Sequence, residues 1–398
     1  MSTVLVTDAG RGSSIAIIRS LGRHGLRVIA ADDDPRSPGF RSRYAAERLV
    51  HADPAADPGA VVEALHARAA AGGVDLIVPV SDEVLLPLAA ARERFAGLAA
   101  LAIPDGAALA QAADKAATLR LARALGVPVP RTAVVRTADD ALAAAGELGW
   151  PVVLKPATSR LLRRGRIERF EVAYASDPRG VAAVMARVAG RCEVLVQEHL
   201  AGEGHGVELL TEGGRPLMAF QHRRLHEVPI TGGASALRES VRIDAQLLRH
   251  ATRLLGALRW TGLAMVEFRV GPGGPALMEI NGRVWGSLPL AVKCGVDFPL
   301  GLVAVHLGAA MPRTSPPALG VRSRNLGLEL VWIASVLRRR RRYPFLAAPR
   351  RGQAVAAALR LPLPSDGYDV LAADDPAPGV ADAARAFGRA LRKVSHAA

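Results

Sequence analysis

The sequence predicts an α/β domain with a parallel sheet at the N-terminus, then a larger α+β region, then a basic C-terminal extension. Three observations carry this prediction. Residues 1 to about 105 alternate strand-like and helix-like segments, which implies a parallel sheet with helices on both faces. Beyond about residue 110, strands are joined by glycine-bearing turns, among them LAMVEFRV and ALMEINGR flanking GPGG. From Arg313 to the end there are 15 basic and 6 acidic residues, so the tail carries +9 of the total charge of +14. The expected boundaries are 1–109, 110–312 and 313–398.

The N-terminal elements follow in order. TVLVTDAG is an apolar strand running into a glycine turn, and Ser13 or Ser14 caps a helix with Ile15, Ile18 and Leu21 on one stripe. LRVIAADDD is a strand, VVEALHARAA a helix and VDLIVPVSDE a further strand. Gly10 and Gly12 begin a dinucleotide fingerprint, but Ile15 stands where the third glycine belongs. A tight strand-to-helix turn is therefore preferred over a nicotinamide site.

DKAATLRLARALG is a helix ended by Gly126, and Pro128 and Pro130 hold the next stretch extended. TADDALAAAGEL is a helix, and WPVVLKPATS is a strand with Lys155 at its end. SRLLRRGRIERF is polar and aperiodic, as suits a mobile loop. In VLVQEHLAGEGHGVELL two strands flank a connection holding Glu203 and His205. RPLMAFQHRRL is a strand, PITGGASALRES a flexible turn and DAQLLRHATRLLGALRW a helix closed near Gly256.

Composition narrows the function classes. With 398 residues, 50% apolar and 22% charged, the chain is globular with ample core for two or three domains. MSTVLVTDAG lacks a basic region followed by a long apolar run, and no segment offers the roughly 18 uninterrupted apolar residues of a spanning helix, so a cytoplasmic protein is expected. Cys192 and Cys294 read as packing thiols. Only 4% of residues are aromatic and no nucleic-acid-binding motif is present, which excludes a base-stacking surface.

The last hairpin yields a geometric expectation. Centred on Pro272 and Gly273, it pairs residues whose numbers sum to about 545, placing Glu267 opposite Glu279 within one residue. Alternation puts Ala264, Val266, Phe268, Ala276, Met278 and Ile280 on a core face, and Glu267, Glu279, Asn281 and Arg283 on the other. Like charges opposite one another in a ladder are destabilising unless a cation intervenes. Two carboxylates and an amide oxygen are the hard donors that Mg²⁺, or Mn²⁺ in its place, takes beside substrate phosphates. The competing reading is a solvated face on which Arg283 pairs with a glutamate. Only four of the 51 basic residues are lysines, so Lys115 and Lys155 stand out as point charges for a polyphosphate. Gln197, Glu198 and Leu200 lie where a strand passes into a glycine hinge, a place for main-chain groups to read an adenine edge.

Taken together, DK at 114–115, VVLKP at 152–156, VQEHLAGEG at 196–204, VEF at 266–268 and EINGR at 279–283 resemble the ATP-grasp superfamily, in the branch similar to carbamoyl phosphate synthase, biotin carboxylase and carboxylate-amine ligases. The resemblance covers roughly Ala110 to Pro312, and residues 1–105 resemble the Rossmann-like domain that commonly precedes ATP-grasp. It implies a two-lobed domain with nucleotide and metal between the lobes. By the resemblance, Lys115 and Lys155 contact ATP phosphates, Gln197, Glu198 and Leu200 frame the adenine, and Glu203 or Glu208 reaches the ribose. Glu267, Glu279 and Asn281 bind magnesium, and Arg283 stands near the substrate carboxyl or acyl phosphate. One departure is the loop after Lys155, glycine-rich in the family and here arginine-rich with Gly165 alone.

The expected reaction is ligation of a small-molecule carboxylate to an amine through an acyl phosphate, ATP becoming ADP and phosphate. Arg223, Arg224 and Arg238 are candidates for holding the phosphoryl group or substrate carboxylate, against an exposed basic strand edge. His205, His222 and His226 are candidates for proton removal, against solvated histidines. The alternative function is an ATP-binding regulator with the same fold and no turnover. NLGLELVWIASVL, 325–337, followed by RRRRR, 338–342, fits either a peripheral contact with an anionic membrane or a helix packed on the domain. Residues 361–380 read as a linker before a short terminal helix.

Overall fold

A five-stranded parallel sheet in the order β3-β2-β1-β4-β5 opens the chain. In chain order its elements are β1 (Thr3–Val6), α1 (Gly12–Arg23), β2 (Arg27–Asp32), β3 (Glu47–Val50), α2 (Pro58–Ala70), β4 (Leu76–Val78), α3 (Asp82–Ala90) and β5 (Ala100–Leu101). The structure is a computed structural model that describes residues 1–158, 160–163, 166–169, 172–188, 191–313, 315–338, 349–361 and 367–395. The parallel sheet matches the strand–helix alternation of the sequence. The helix start differs: Arg11 is the N-cap of α1, while Ser13 and Ser14 lie inside its first turn, where the Ser14 hydroxyl donates to the Thr7 carbonyl at 2.9 Å. Asp32, at the end of β2, accepts from the Gly10 N–H at 2.6 Å and the Ser37 hydroxyl at 3.1 Å. That carboxylate braces its own turn, in keeping with the tight-turn reading.

The second layer contains α4 (Gly106–Ala113), α5 (Lys115–Ala124), β6 (Thr132–Val135), α6 (Ala138–Leu148), β7 (Val152–Pro156), β8 (Arg160–Arg163), β9 (Arg166–Arg169), β10 (Ala173–Ala175), α7 (Pro178–Val188) and β11 (Val194–Glu198). Strands β10-β7-β11-β6 form an antiparallel sheet, and Ala141, Ala145, Val181 and Met185 of α6 and α7 pack on Val152, Leu154 and Val196. Within the stretch expected as a mobile loop, the described residues form two paired strands, β8 with β9, from Arg160 opposite Arg169 to Arg163 opposite Arg166; residues 159, 164, 165 and 170 lie outside the described residues.

The largest sheet has the order β16-β15-β12-β13-β14-β17-β18. Its elements are β12 (Glu203–Glu212), β13 (Arg215–Val228), β14 (Ala234–Ser240), α8 (Ala245–Ala257), β15 (Gly262–Gly271), β16 (Gly274–Asn281), α9 (Leu288–Lys293), α10 (Phe298–Leu307), β17 (Arg322–Arg324), α11 (Leu326–Leu337), α12 (Arg351–Arg360), β18 (Gly367–Tyr368) and α13 (Pro376–Ser395). One face buries Val207, Leu209, Val266, Phe268 and Ile280 against Leu247, Ala251 and Leu254 of α8. The hairpin register follows the expectation at its centre, with Glu267 opposite Glu279. Between Glu267 and Phe268 the register slips by one, and Phe268 pairs with Leu277. Met278 is the extra residue of this bulge. It therefore leaves the expected core face, and Leu277 takes that place in the core.

The C-terminal segment is woven into the fold. β17 and β18 extend the large sheet, while Trp332, Ile333 and Val336 of α11 pack against Ala236 of β14 and Ala354 and Ala357 of α12. The apolar face expected as a membrane-contact candidate is thus covered by protein. Of the arginine run, residues 339–342 lie outside the described residues. No helix among the described residues is long and apolar enough to cross a membrane. The stretch expected as a linker is a clasp: Asp375 receives the Arg19 guanidinium at 2.9 Å and the Ser42 hydroxyl at 2.7 Å, and Asp374 receives Arg23 at 2.8 Å. The terminal helix α13 is 20 residues long rather than short.

Candidate active site

Between the small antiparallel sheet and the open face of the large one lies a cleft of about 930 Å³. The small sheet contributes Lys155 from β7 and Gln197, Glu198 and Leu200 from the end of β11. The large sheet contributes Glu267 and Arg269 from β15 and Met278, Glu279 and Asn281 from β16. Lys115 approaches from the start of α5: Asp114 caps that helix, accepting from the N–H groups of Ala116 and Ala117, and the Lys115 N–H donates to the Ala157 carbonyl at 2.9 Å. These bonds tie the start of α5 to the end of β7, and the Lys115 side chain is buried.

The opposed glutamates are joined through an amide. Asn281 Nδ2 donates to Glu267 Oε1 at 2.9 Å and to Glu279 Oε1 at 3.3 Å, so both carboxylates converge on one point. Arg224 Nη2 lies 2.5 Å from Glu267 Oε1. Glu227 bridges Arg224 at 3.4 Å and Arg269 at 3.1 Å. Arg283 does not pair with either glutamate of the hairpin; its Nε donates to Asp82 Oδ2 of α3 at 3.2 Å and its Nη2 to Asn281 Oδ1 at 3.4 Å. The pairing expected of the solvated-face alternative is therefore absent, and the four groups are half-buried between two layers.

The charges shift one another as their positions require. Burial pulls the Lys155 ammonium down to about 8, with Lys115 adding to the effect and Glu279 opposing it. Glu279 lies below the usual carboxylate range because Lys115 and Lys155 outweigh its burial. Glu267 lies above it, through burial and the neighbouring Glu279, with Arg224 pulling the other way. Desolvation works against the Arg224 charge, but Glu267 and Glu227 hold it on more firmly than usual.

Several expected site residues sit elsewhere. Glu203 and His205 lie on β12 rather than in a connection. His205 pairs with Phe268 of the core face, so Glu203, two residues earlier, also points away from the cleft, 3.8 Å from Arg223. Arg223 faces the same outer side, where its Nε donates to Glu239 at 2.8 Å. Neither is placed to touch a ligand in the cleft. Glu208, the other ribose candidate, is on the cleft side but fully buried beside Ser287 and His222. The head groups of Gln197 and Glu198 are engaged by Thr132 at 2.9 Å and Arg131 at 2.8 Å. His226 is held at 2.9 Å by Glu329 and stacks on Trp332 with ring centroids 3.5 Å apart.

Among the described residues no three His, Cys, Asp or Glu side chains form a metal cluster. The two carboxylates meet at the Asn281 Nδ2, while Oδ1 faces Arg283; turning the amide over would bring its oxygen to the carboxylates, and two carboxylates with an amide oxygen suit a cation that completes its shell with water and phosphate oxygens. With the amide so turned, Glu267, Glu279 and Asn281 would fit Mg²⁺ or Mn²⁺.

Two family models match across this region. One, described as an ATP-grasp domain, matches residues 107–208, and the other, described as ATP-grasp in the biosynthetic pathway with Ter operon, matches residues 191–327. The chain belongs to the ATP-grasp superfamily. Members of this superfamily are ATP-dependent carboxylate-amine and carboxylating ligases. Among curated ATP-grasp relatives, the carbamoyl phosphate synthase large chain of Deinococcus radiodurans is 28% identical over 208 residues, 50% of this chain and 20% of that one. An uncharacterised protein of Sinorhizobium fredii, y4rH, is 30% identical over 217 residues, 52% of this chain and 44% of that one. The chain thus spans less than half the length of these relatives. In fold it is similar to the N5-carboxyaminoimidazole synthetase of Staphylococcus aureus, with a TM-score of 0.66 at 15% identity, covering 84% of each chain.

Within this ATP-grasp cleft, sequence reasoning missed four contributors. Met278 enters through a one-residue bulge, Glu227 and Arg269 form an ion pair across the sheet, and Asp382 of α13 reaches the lining from the far end of the chain. The first three carry no motif of their own. Asp382 lies in a segment whose composition reads as a tail.

Proposed function

We propose that the chain is an ATP-dependent ligase that activates a carboxylate as an acyl phosphate and transfers the acyl group to an amine or similar nucleophile. The observation that carries this reading is the convergence of Glu267 and Glu279 on Asn281 in a cleft whose other wall presents Lys155, with Lys115 close enough to shift both Lys155 and Glu279. Magnesium or manganese held by Glu267, Glu279 and Asn281 supplies neutralisation of polyphosphate charge.

The remaining work falls to the chain's own residues. Lys115 and Lys155 hold phosphate oxygens as point charges. The main chain around Glu198 and Leu200 reads the adenine edge, with Met278 as an apolar wall. Arg224 and Arg283 face the reacting groups and offset the charge of the phosphoryl group and the substrate carboxylate. A carboxylate oxygen attacks the γ-phosphorus, and the bond from that phosphorus to the β–γ bridging oxygen breaks to release ADP. The amine nitrogen then forms a bond to the acyl carbon as the carbon–oxygen bond to phosphate breaks, and the amine proton passes to solvent. Positioning and preorganised charge supply most of the acceleration in such chemistry.

The test is a hydroxamate screen. Purified protein with Mg-ATP, hydroxylamine and a panel of carboxylates is expected to yield hydroxamate and ADP in equal amounts with at least one acid. ADP formation that no acid stimulates, with no hydroxamate across the panel, overturns the reading.

A further inference from the structure

One row of the large sheet runs Glu279, Glu267, Gly206, His222, Ser240, each residue paired with the next across neighbouring strands. Residues paired in this way share a face, so His222 stands on the cleft floor two strands from Glu267. Gly206 leaves the space between them free of side chain. A Cβ there would come within 2.5 Å of His222 Cε1, so the imidazole leans over the glycine.

His222 and Glu208 are 1% and 0% exposed, and His222 Nδ1 lies 2.9 Å from Glu208 Oε1. The Ser287 hydroxyl donates to the same oxygen at 2.9 Å. Neither ring nitrogen of His222 makes a hydrogen bond within the protein, and neither does Nε of Arg224 or of Arg238. His222, Ser287, Arg224 and Arg238 all line the cleft. Buried polar atoms in folded proteins are nearly always hydrogen-bonded. Four unpartnered nitrogens on one patch of floor mark a place where a ligand supplies the partner, and the ligase roles assigned above do not use His222.

We propose that His222 is an N–H donor of an oxyanion subsite that it forms with Arg224 and Arg238 on the cleft floor. The protonation state supports the geometry. Burial with Arg224 and Arg238 pulls His222 down to about 3, so the ring is uncharged near pH 7 and carries one N–H. Two guanidinium groups and an N–H donate to an oxygen anion and repel an ammonium. In the ligase reading that anion is the substrate carboxylate or the transferred phosphoryl group; the donor state of His222 itself does not depend on that reading.

The experiment uses full-length protein with ¹⁵N-labelled histidine, His222 being assigned from the signal lost in His222→Gln. The expected result is a neutral ring at pH 7 whose shift moves saturably with acetate or with inorganic phosphate, tested with and without Mg-ADP. Movement with acetate alone assigns the substrate acid, and movement with phosphate alone assigns the phosphoryl group. His222→Gln keeps a side-chain N–H and is expected to retain more anion affinity than His222→Phe, which weakens it by about ten-fold. No shift beyond that given by equimolar chloride, or anion affinity in His222→Phe equal to that of wild type, overturns the proposal. Calorimetry of Mg-ADP on the same sample separates the two ideas, since absent nucleotide uptake overturns the ligase reading and leaves the anion result standing.

Discussion

Arg224 Nη2 sits 2.5 Å from Glu267 Oε1, and Glu267 stands directly opposite Glu279 in the neighbouring strand. Two like charges in that position repel, so the guanidinium occupies part of the role that a divalent cation would share. Removing it leaves a buried carboxylate pair without its near counterion, a loss of about 3 kcal/mol by analogy with other broken buried pairs. Arg224→Ala is expected to lower the thermal midpoint, and millimolar Mg²⁺ to restore more of the loss in the variant than it adds to wild type. Scanning calorimetry with and without Mg²⁺ decides, and equal Mg²⁺ effects in the two proteins would count against a cation site between these carboxylates.

The buried ammonium of Lys155, drawn down to about 8, gives a pH dependence with a definite sign. Between pH 8 and the ordinary lysine value of 10.5 the unfolded chain still binds a proton that the folded chain has released, so the ligand-free protein gains stability as pH rises through that window. Nucleotide binding runs the opposite way, because a polyphosphate favours the ammonium. Mg-ATP affinity is expected to weaken as pH rises above about 8, with proton uptake on binding visible as a dependence of the calorimetric enthalpy on buffer. In Lys155→Arg the trend should flatten. A wild-type affinity unchanged from pH 7 to 9.5 removes Lys155 from the phosphate site.

How far the site was legible depends on the range of each interaction. The opposition of Glu267 and Glu279 follows from turn position and a two-residue period, both local, and the structure keeps it. The bulge at Met278 adds one residue without changing composition, so no periodicity betrays it. Arg223 and Arg224 are adjacent on one strand and must point to opposite faces; the pattern itself rules out a shared site, and only Arg224 faces the cleft. Glu203 was misplaced because β12 begins at that residue, which brings strand alternation into force earlier than the glycines suggest. The clasp of Asp374 and Asp375 was unreadable for another reason. Its partners Arg19 and Arg23 lie about 350 residues upstream, and a pairing at that separation leaves no local pattern.

That clasp makes its own prediction. Arg19 and Asp375 are 5% and 2% exposed, so Asp375→Ala strands a guanidinium in the interior and should cost about 3–5 kcal/mol. The backbone N–H of Arg43, the Ser42 hydroxyl and Arg19 outweigh burial and hold the Asp375 carboxyl below its usual range. Its contribution is therefore present above the ordinary aspartate value and lost as pH falls through the lower folded one. Replacing both partners, Arg19→Met with Asp375→Leu, is expected to recover most of the loss. Urea unfolding of the two variants provides the measurement, and a double variant as unstable as Asp375→Ala would mean that the pair is not where the cost arises.

The two hairpin glutamates should respond differently to neutralisation. Lys115 and Lys155 keep Glu279 ionised, whereas burial and the negative neighbour raise Glu267. Neutralising Glu279 is therefore expected to remove more of the site's charge than neutralising Glu267. Glu279→Gln is expected to weaken Mg²⁺-dependent nucleotide binding by ten-fold or more, about 1.4 kcal/mol, while leaving the weaker binding measured in EDTA unchanged or improved, since one negative charge near the phosphates is gone. Glu267→Gln should show a smaller loss than Glu279→Gln. Fluorescence titration of a nucleotide analogue with each variant, in Mg²⁺ and in EDTA, reads all four cases. Equal losses in Mg²⁺ and in EDTA would show that the carboxylates act on folding or on nucleotide shape rather than through a cation.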